Sequence, residues 1–367
     1  MALPHVAIAV LSGTTGGPAT YGRKLVGALA RTGEVRLSIL TDRADLLARD
    51  LGGASVDLID LPMRGGIDRL RWQHRAVPRA LRELAPDVYH DTKNALPRRL
   101  RCPAAVTVHD LAYCTVPETF GLASRMFLRM ATRDAARRAK AIIVPSRSTA
   151  ADLGRFYPTG HDNTFVVPHG IDAARDVDPL LATDAAKRLG LPEHYVLHVG
   201  TIQARKNVDL VIQAVRKLRS SGSPHRAVIV GRRGWLSQRA FAEIKRDDTA
   251  HWIEHVTDAD LAVCYQRAAA FVSPSAYEGF GFAVADALAA GVPTVVADIS
   301  SLPELCGEAA ELLPDLRSDT IAEVLGGLLG DPARRQRLAQ LGEARAAGFT
   351  WEACADGHLR AYAAARG

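Results

Sequence analysis

Residues 273–291, SPSAYEGFGFAVADALAAG, decide the fold class. Just ahead of them Ala270, Phe271 and Val272 make a short apolar run suited to the end of a buried strand. Gly279 and Gly281 then permit backbone angles that a side chain forbids. From Phe282 apolar residues return at helical spacing through Val284, Leu288 and Ala289, and Gly291 and Pro293 stop the helix. A helix that starts behind glycines presents free N–H groups and a positive dipole end, which suits an anionic ligand. Glu278 stands just before that helix, and Asp286 lies about one turn inside it. Acids beside an anion-ready helix start make sense when the ligand carries hydroxyls as well as phosphate. The bland alternative is an ordinary strand–turn–helix with its acids in solvent.

Working outward, the same alternation fills the chain. Strand-like runs lie at 5–11, 35–41, 56–62, 87–91, 104–110, 141–146 and 164–170, with helix-like segments between most of them. The stretch from Ile171 to Pro192 is less apolar and holds the best boundary signals, so 173–192 reads as a linker. A second series follows at 195–201, 226–231, 251–256, 268–275, 293–298 and 310–314. Alternating β and α signals predict parallel sheets covered on both faces, with ligands at the carboxyl ends of the strands. At 367 residues the chain exceeds one typical domain. Two α/β domains, 1–172 and 193–350, are expected, and 351–367 reads as a terminal helix.

Bulk properties narrow the function classes. Hydrophobic residues at 48% and charged residues at 23% suit a soluble globular protein, and no apolar run approaches the roughly 20 residues of a spanning helix. The opening MALPHVAIAVLSG lacks a basic leader and moves straight into a strand, so no signal peptide is expected. Cys102, Cys114, Cys264, Cys306 and Cys354 are scattered without C-x-x-C spacing, which argues for reduced cytoplasmic thiols over disulfides or a metal site. A net charge of +6 fits a protein that handles nucleotide diphosphates or leans on an anionic membrane. Aromatic residues are only 6% and do not interleave with the basic clusters, so nucleic acid is not an expected partner.

Three further stretches carry candidate chemistry. After the first strand, SGTTGGPATYG places Gly13, Gly16 and Gly17 at a strand's carboxyl end, where ligand groups can approach the backbone. The spacing is not G-x-G-x-x-G, which argues against an NAD-dependent oxidoreductase. His109 and Asp110 follow the run AAVTV at another such end. GTIQARKN, residues 200–207, sets Arg205 and Lys206 between a strand and a helix start. Two fixed cations there can neutralise a departing diphosphate, Arg as a planar fork and Lys as a mobile point charge. Basic segments also run at 69–84, 96–102 and 129–141. Such helices can rest on anionic lipid. Pro78 interrupts the longest and the apolar faces are weak, so solvated basic faces are expected.

The acidic stretch resembles the E-x7-E signature of retaining glycosyltransferases of family 4, usually E-G-F-G-L-P-x-x-E. Glu278, Gly279, Phe280 and Gly281 match it. Phe282 and Ala283 replace the usual Leu and Pro, and Asp286 replaces the second Glu with a reach about 1.5 Å shorter. Gly200, Thr201, Arg205, Lys206 and Asn207 match the family's G-T-x-x-x-R-K-N, and P-H-G-I-D at 168–172 stands where P-N-G-I/V-D is common, His169 replacing Asn. The resemblance covers nearly the whole chain and is most specific in its C-terminal half.

This resemblance implies the GT-B architecture: two Rossmann-like domains with parallel sheets facing an interdomain cleft, the C-terminal helix packing back on the N-terminal domain. It implies a nucleotide-diphosphate sugar donor, a hydroxyl acceptor and no metal or other cofactor. Arg205 and Lys206 would hold the diphosphate, Glu278 the donor sugar, Asp286 the ribose and His109 a sugar hydroxyl. Gly16, Gly17, Gly200, Thr201, Val256, Ser275, Phe280, Gly281, Phe282 and Ala283 would line the donor site. TVHDLAYCTVPETF with VGTIQARKN looks most like mannosyltransferase-type members and favours GDP-mannose, with UDP- and dTDP-sugars open. The acceptor would be a glycan, a lipid-linked glycan or a natural product, and the enzyme cytoplasmic or peripheral to the membrane's inner face. Two alternatives stay open: another GT-B enzyme such as a nucleotide-sugar epimerase, and a nonenzymatic nucleotide-sugar-binding protein.

Overall fold

All thirteen strand-like runs form strands, in two parallel sheets. β1 (His5–Val10), β2 (Arg36–Thr41), β3 (Asp57–Asp60), β4 (Val88–Asp91), β5 (Ala104–Thr107), β6 (Ala141–Val144) and β7 (Thr164–Val166) take the order 3-2-1-4-5-6-7. β8 (Tyr195–Val199), β9 (Arg226–Val230), β10 (Ala250–Ile253), β11 (Ala270–Ser273), β12 (Thr294–Ala297) and β13 (Ala310–Leu313) take the order 10-9-8-11-12-13. Inner strands such as β4, β5, β6, β11 and β12 are buried at every position, which is why they read as unbroken apolar runs. The edge strands β3 and β10 are only partly buried, because one flank has no neighbour. This is a computed structural model, and it describes residues 3–11, 16–51, 56–63, 66–158, 163–172 and 178–367.

The chain divides into two units, Met1–Gly170 with Phe349–Gly367, and Ile171–Gly348. Helix Trp351–Arg366 therefore belongs to the first unit, although it closes the sequence. Glycines permit its close packing: a Cβ at Gly170 would lie 2.6 Å from the Trp351 Cα, and one at Gly357 would lie 2.9 Å from a Val167 methyl.

Two sequence expectations need revision. Within the stretch read as a linker, Pro179–Leu189 is a helix of the second unit, N-capped by Asp178 and closed by Gly190. Arg188 grips both carboxylate oxygens of Asp260, at 2.7 and 3.1 Å. Its buried face is made of Ala182, Ala185 and Ala186, while Leu180 and Leu181 are exposed, so the apolar signal was faint. Pro78 does not break its helix. A π-helical turn, Trp72–Ala76, separates helix Gly66–Arg71 from helix Val77–Leu84, and the wider turn accommodates a residue that lacks the N–H.

Each sheet reverses its strand order once, between β1 and β4 and between β8 and β11. Loops leaving the carboxyl ends of such neighbours diverge to opposite faces and leave a crevice, the usual place for a ligand in an open α/β sheet. In the second sheet these are the loops 200–207 and 274–281.

Candidate functional site in the second unit

The loop after β8 and the loop after β11 are stitched together by backbone. Ala276 N–H donates to the Arg205 carbonyl at 2.8 Å, and the Asn207 side-chain amide donates to the Pro274 carbonyl at 2.8 Å. Arg205 and Lys206 sit on a single 3₁₀ turn, Ala204–Lys206, before helix Val208–Ser220. The third loop, after β9, comes as close as backbone can. A Cβ at Gly231 would lie 2.6 Å from the Gly200 carbonyl carbon, so only glycine fits there.

Glu278 is the centre of this arrangement. Its Oε2 lies 3.1 Å from an Arg205 guanidinium nitrogen, and its Oε1 pairs with the Lys206 ammonium. All three side chains are largely shielded, at 10–15% exposure. Arg205 also donates to the Tyr277 carbonyl. Burial alone would raise the Glu278 pKa, but the charges of Arg205 and Lys206, with hydrogen bonds from Lys206 and Ser275, hold it at about 2. The Glu278 backbone is fixed too. Its N–H donates to Ser300 Oγ at 2.9 Å, and Ser301 Oγ donates to the Glu278 and Phe280 carbonyls at 2.9 and 3.1 Å. One carboxylate thus holds two cations in place.

The helix start beside it is helix Phe282–Ala289. Gly281 precedes it with φ +102°, in space bounded by Leu302 and Leu305 methyls 3.1 and 3.2 Å from where a Cβ would stand. Phe280 packs edge-on against Phe282, with ring centroids 5.2 Å apart. The Ala283 carbonyl accepts a hydrogen bond from the buried Tyr265 hydroxyl at 3.1 Å. Asp286 is partly buried, and burial, with the charges of Asp172 and Asp258, raises its pKa to about 7. Asp258 lies two residues beyond Val256, so the loop before helix Asp258–Gln266 reaches the neighbourhood of Asp286. Thr201 packs through its methyl against Gly234. Among the described residues no cluster of three or more His, Cys, Asp or Glu side chains could hold a metal ion.

The remaining candidates, Gly16, Gly17 and His109, lie in the first unit. Gly13 lies outside the described residues. Gly16, at φ +94°, precedes helix Gly17–Thr32 without a capping side chain. His109 Nε2–H donates to the Thr92 carbonyl at 2.8 Å, tying the β5 end to the β4 end. That bond fixes the tautomer and leaves Nδ1 as the acceptor nitrogen. His169 Nε2 lies 3.4 Å from it. Burial lowers the His109 pKa to about 4, so the ring is neutral.

Sequence reasoning gave His169 no role, yet its buried ring lies beside His109 and against Tyr21, whose ring also meets His109 edge-on at 4.9 Å. Behind these rings runs a buried chain of hydrogen bonds whose direction follows from one carbonyl. The Cys354 carbonyl can only accept, so His358 Nδ1 donates to it at 2.7 Å and Nε2 must accept from Tyr21 Oη at 2.6 Å. Thr107 then donates to Tyr21 at 2.8 Å, His90 Nε2 donates to Thr107 at 2.8 Å, and Tyr362 donates to His90 Nδ1 at 2.8 Å. Burial keeps both histidines neutral, as this order requires. Also unforeseen was a recess at the ends of β1 and β4, lined by Arg69, Gln73, Asp91 and Lys93. Burial there raises Asp91 to about 7 and lowers Lys93 to about 8.

Comparison with known proteins gives the family. The family model described as Glycosyl transferases group 1 matches residues 183–345, and that described as Glycosyltransferase Family 4 matches residues 15–175. The chain belongs to this family of glycosyltransferases. An O-antigen chain mannosyltransferase B of Escherichia coli is 28% identical over 77% of this chain and 76% of its own length. A D-inositol 3-phosphate glycosyltransferase of Nocardia farcinica is 33% identical over 61% of this chain, which spans about half of that relative, 52%. The structure of Anabaena HepE in complex with UDP and glucose superposes with a TM-score of 0.77 at 18% identity, over 97% of this chain and 98% of that one. The glycosyltransferase therefore has the GT-B fold of two Rossmann-like domains. Among its described residues no helix is long and apolar enough to cross a membrane.

Proposed function

We propose that this glycosyltransferase moves a hexose from a nucleotide-diphosphate sugar to a hydroxyl acceptor with retention at the anomeric carbon and without a metal ion. The observation that carries the reading is the Arg205–Glu278–Lys206 cluster at the strand-order reversal of the second sheet. An incoming diphosphate would take over the two cations from Glu278 and receive the N–H groups at the start of helix Phe282–Ala289. Glu278, released from its ion pairs, would accept hydrogen bonds from sugar hydroxyls, and Asp286 would bind the ribose. His109 would accept a sugar hydroxyl at Nδ1. In the transfer the anomeric carbon–phosphate oxygen bond breaks as the acceptor oxygen bonds to the same face. The acceptor's proton passes to the leaving phosphate oxygen.

The mannosyltransferase relative supports mannose as the sugar, for which GDP-mannose is the favoured donor, and the O-antigen chain it is named for supports a glycan acceptor. The recess lined by Arg69, Asp91 and Lys93 is the candidate acceptor side. The test is donor hydrolysis. The purified protein is incubated with GDP-, UDP-, dTDP- and ADP-sugars, with and without chelator, and released nucleoside diphosphate is quantified. Release from GDP-mannose, unaffected by chelator and abolished in Lys206→Ala, is the expected result. Release only from another nucleotide class would replace the donor assignment, and dependence on a divalent ion would overturn the metal-free mechanism.

A further inference from the structure

Helix Leu122–Arg138 carries an outward face that nothing in the reaction uses. The helix packs on its unit through Thr132, Ala135 and Ala136, with Leu128 against the core. On the opposite side Leu122, Met126 and Met130 follow one another at i, i+4 and i+8, and are 76%, 60% and 62% exposed. Phe127 beside them is 42% exposed. Large apolar side chains this open are normal singly, but four in nine residues of one helix are not. The same stripe continues with Arg133 and Arg137, and Arg129 flanks it. Among the described residues none of these three arginine side chains makes an ion pair or hydrogen bond. The nearby Asp134 is paired with Arg138, which also donates to the Pro97 and Arg98 carbonyls. That anchor brings the exposed Arg98, Arg99 and Arg101 of the loop between β4 and β5 alongside.

We infer that this helix lies in the surface of an anionic phospholipid bilayer, its N-terminal half in the acyl boundary and its C-terminal half among the headgroup phosphates. The charge distribution selects this occupant. Apolar residues fill one half of the stripe and arginines the other. A second copy packed antiparallel would set methionines against arginines, and one packed parallel would set arginine against arginine. A bilayer offers both environments at adjacent depths, and arginine suits phosphate. The basic window 129–141 read from the sequence excluded the apolar turns that precede it. The donor reading and this one are independent, since vesicle binding is measured without donor.

The test is flotation of the full chain with vesicles of phosphatidylglycerol and phosphatidylethanolamine in equal parts, against vesicles of phosphatidylcholine. Binding to the anionic vesicles alone is expected. Arg129→Gln/Arg133→Gln/Arg137→Gln should lower it about a hundredfold, since each surface arginine contributes about a fivefold factor. Met126→Gln/Met130→Gln should lower it at least about tenfold with the arginines intact. All five positions are on the surface, so circular dichroism of the variants should match the parent. Failure of the parent to float, or unchanged flotation in either variant, would overturn the inference. So would a concentration-dependent dimer in sedimentation that the methionine variant abolishes, which would make the face a contact between copies.

Discussion

Replacing Glu278 by glutamine separates two jobs that the structure gives to one carboxylate. Glu278 is the shared counter-ion of Arg205 and Lys206. Its pKa of about 2, against an ordinary 4.5, corresponds to about 3 kcal/mol favouring the folded, ionised form. The sign follows from the depression. This stability is present above the unfolded value near 4.5 and is lost as pH falls through about 2, so at neutral pH it is complete. Glutamine keeps the shape and one acceptor but leaves two shielded cations without an anion. The unfolding transition of the second unit should fall by about 6–12 °C at neutral pH. Nucleoside diphosphate binding should move the other way. The ligand no longer competes with a carboxylate for the cations, nor is it repelled by one, and affinity should rise about tenfold or more. Calorimetric scans with and without GDP and UDP, followed by titration, measure both effects. A variant that unfolds at the parent's temperature and binds diphosphate no better would refute the counter-ion argument.

Other perturbations follow from the same geometry. Asp286 is held at about 7 by burial and by Asp172 and Asp258, so it binds a proton more readily folded than unfolded, and its ionisation costs stability as pH rises from about 4 through 7. Asp286→Asn should be the more stable protein at pH 8 but not at pH 4, and nucleotide affinity, rising through pH 7 in the parent, should become flat. A thermal shift of the same size at both pH values would count against this. Gly231→Ala forces a methyl onto the Gly200 peptide and should cost about 2–4 kcal/mol, read as a lower urea midpoint. A midpoint equal to the parent's would show that the loops can part freely. The neutral, buried His109 and His358, each near 4, must take up protons on unfolding below about 6.5. The first unit should therefore lose about 2 kcal/mol per histidine between pH 7.5 and 5, and a scan showing no acid sensitivity would contradict the directed hydrogen-bond chain.

Much of this protein is legible in order along the chain. A strand buried on both faces must be apolar throughout, so the inner runs could be found without knowing their neighbours. The site's second half was legible for a similar reason. Arg205, Lys206 and Glu278 stand in short loops between a strand and a helix, and glycines at 200 and 281 take the positive φ that marks a tight turn, whereas Gly279 does not. Helix Pro179–Leu189 was missed because alanine carries little hydrophobic signal. The apolar turns of helix Leu122–Arg138 were missed because its apolar and basic halves are successive turns of one stripe.

What no local window could supply is which loops meet. The strand order 10-9-8-11 sets β8 beside β11 across some 70 residues of sequence, and only then does Glu278 become the counter-ion of Arg205 and Lys206. Likewise Tyr21, His90, Thr107, His358 and Tyr362 are unremarkable polar residues until the last helix packs across the first sheet and removes their water. Burial is then what forces each of them to find a partner. Residue types and spacing determined the elements and the chemistry available. The long-range pairing of strands, which depends on the shape of the whole sheet, decided which of those groups share a site, their protonation and their direction.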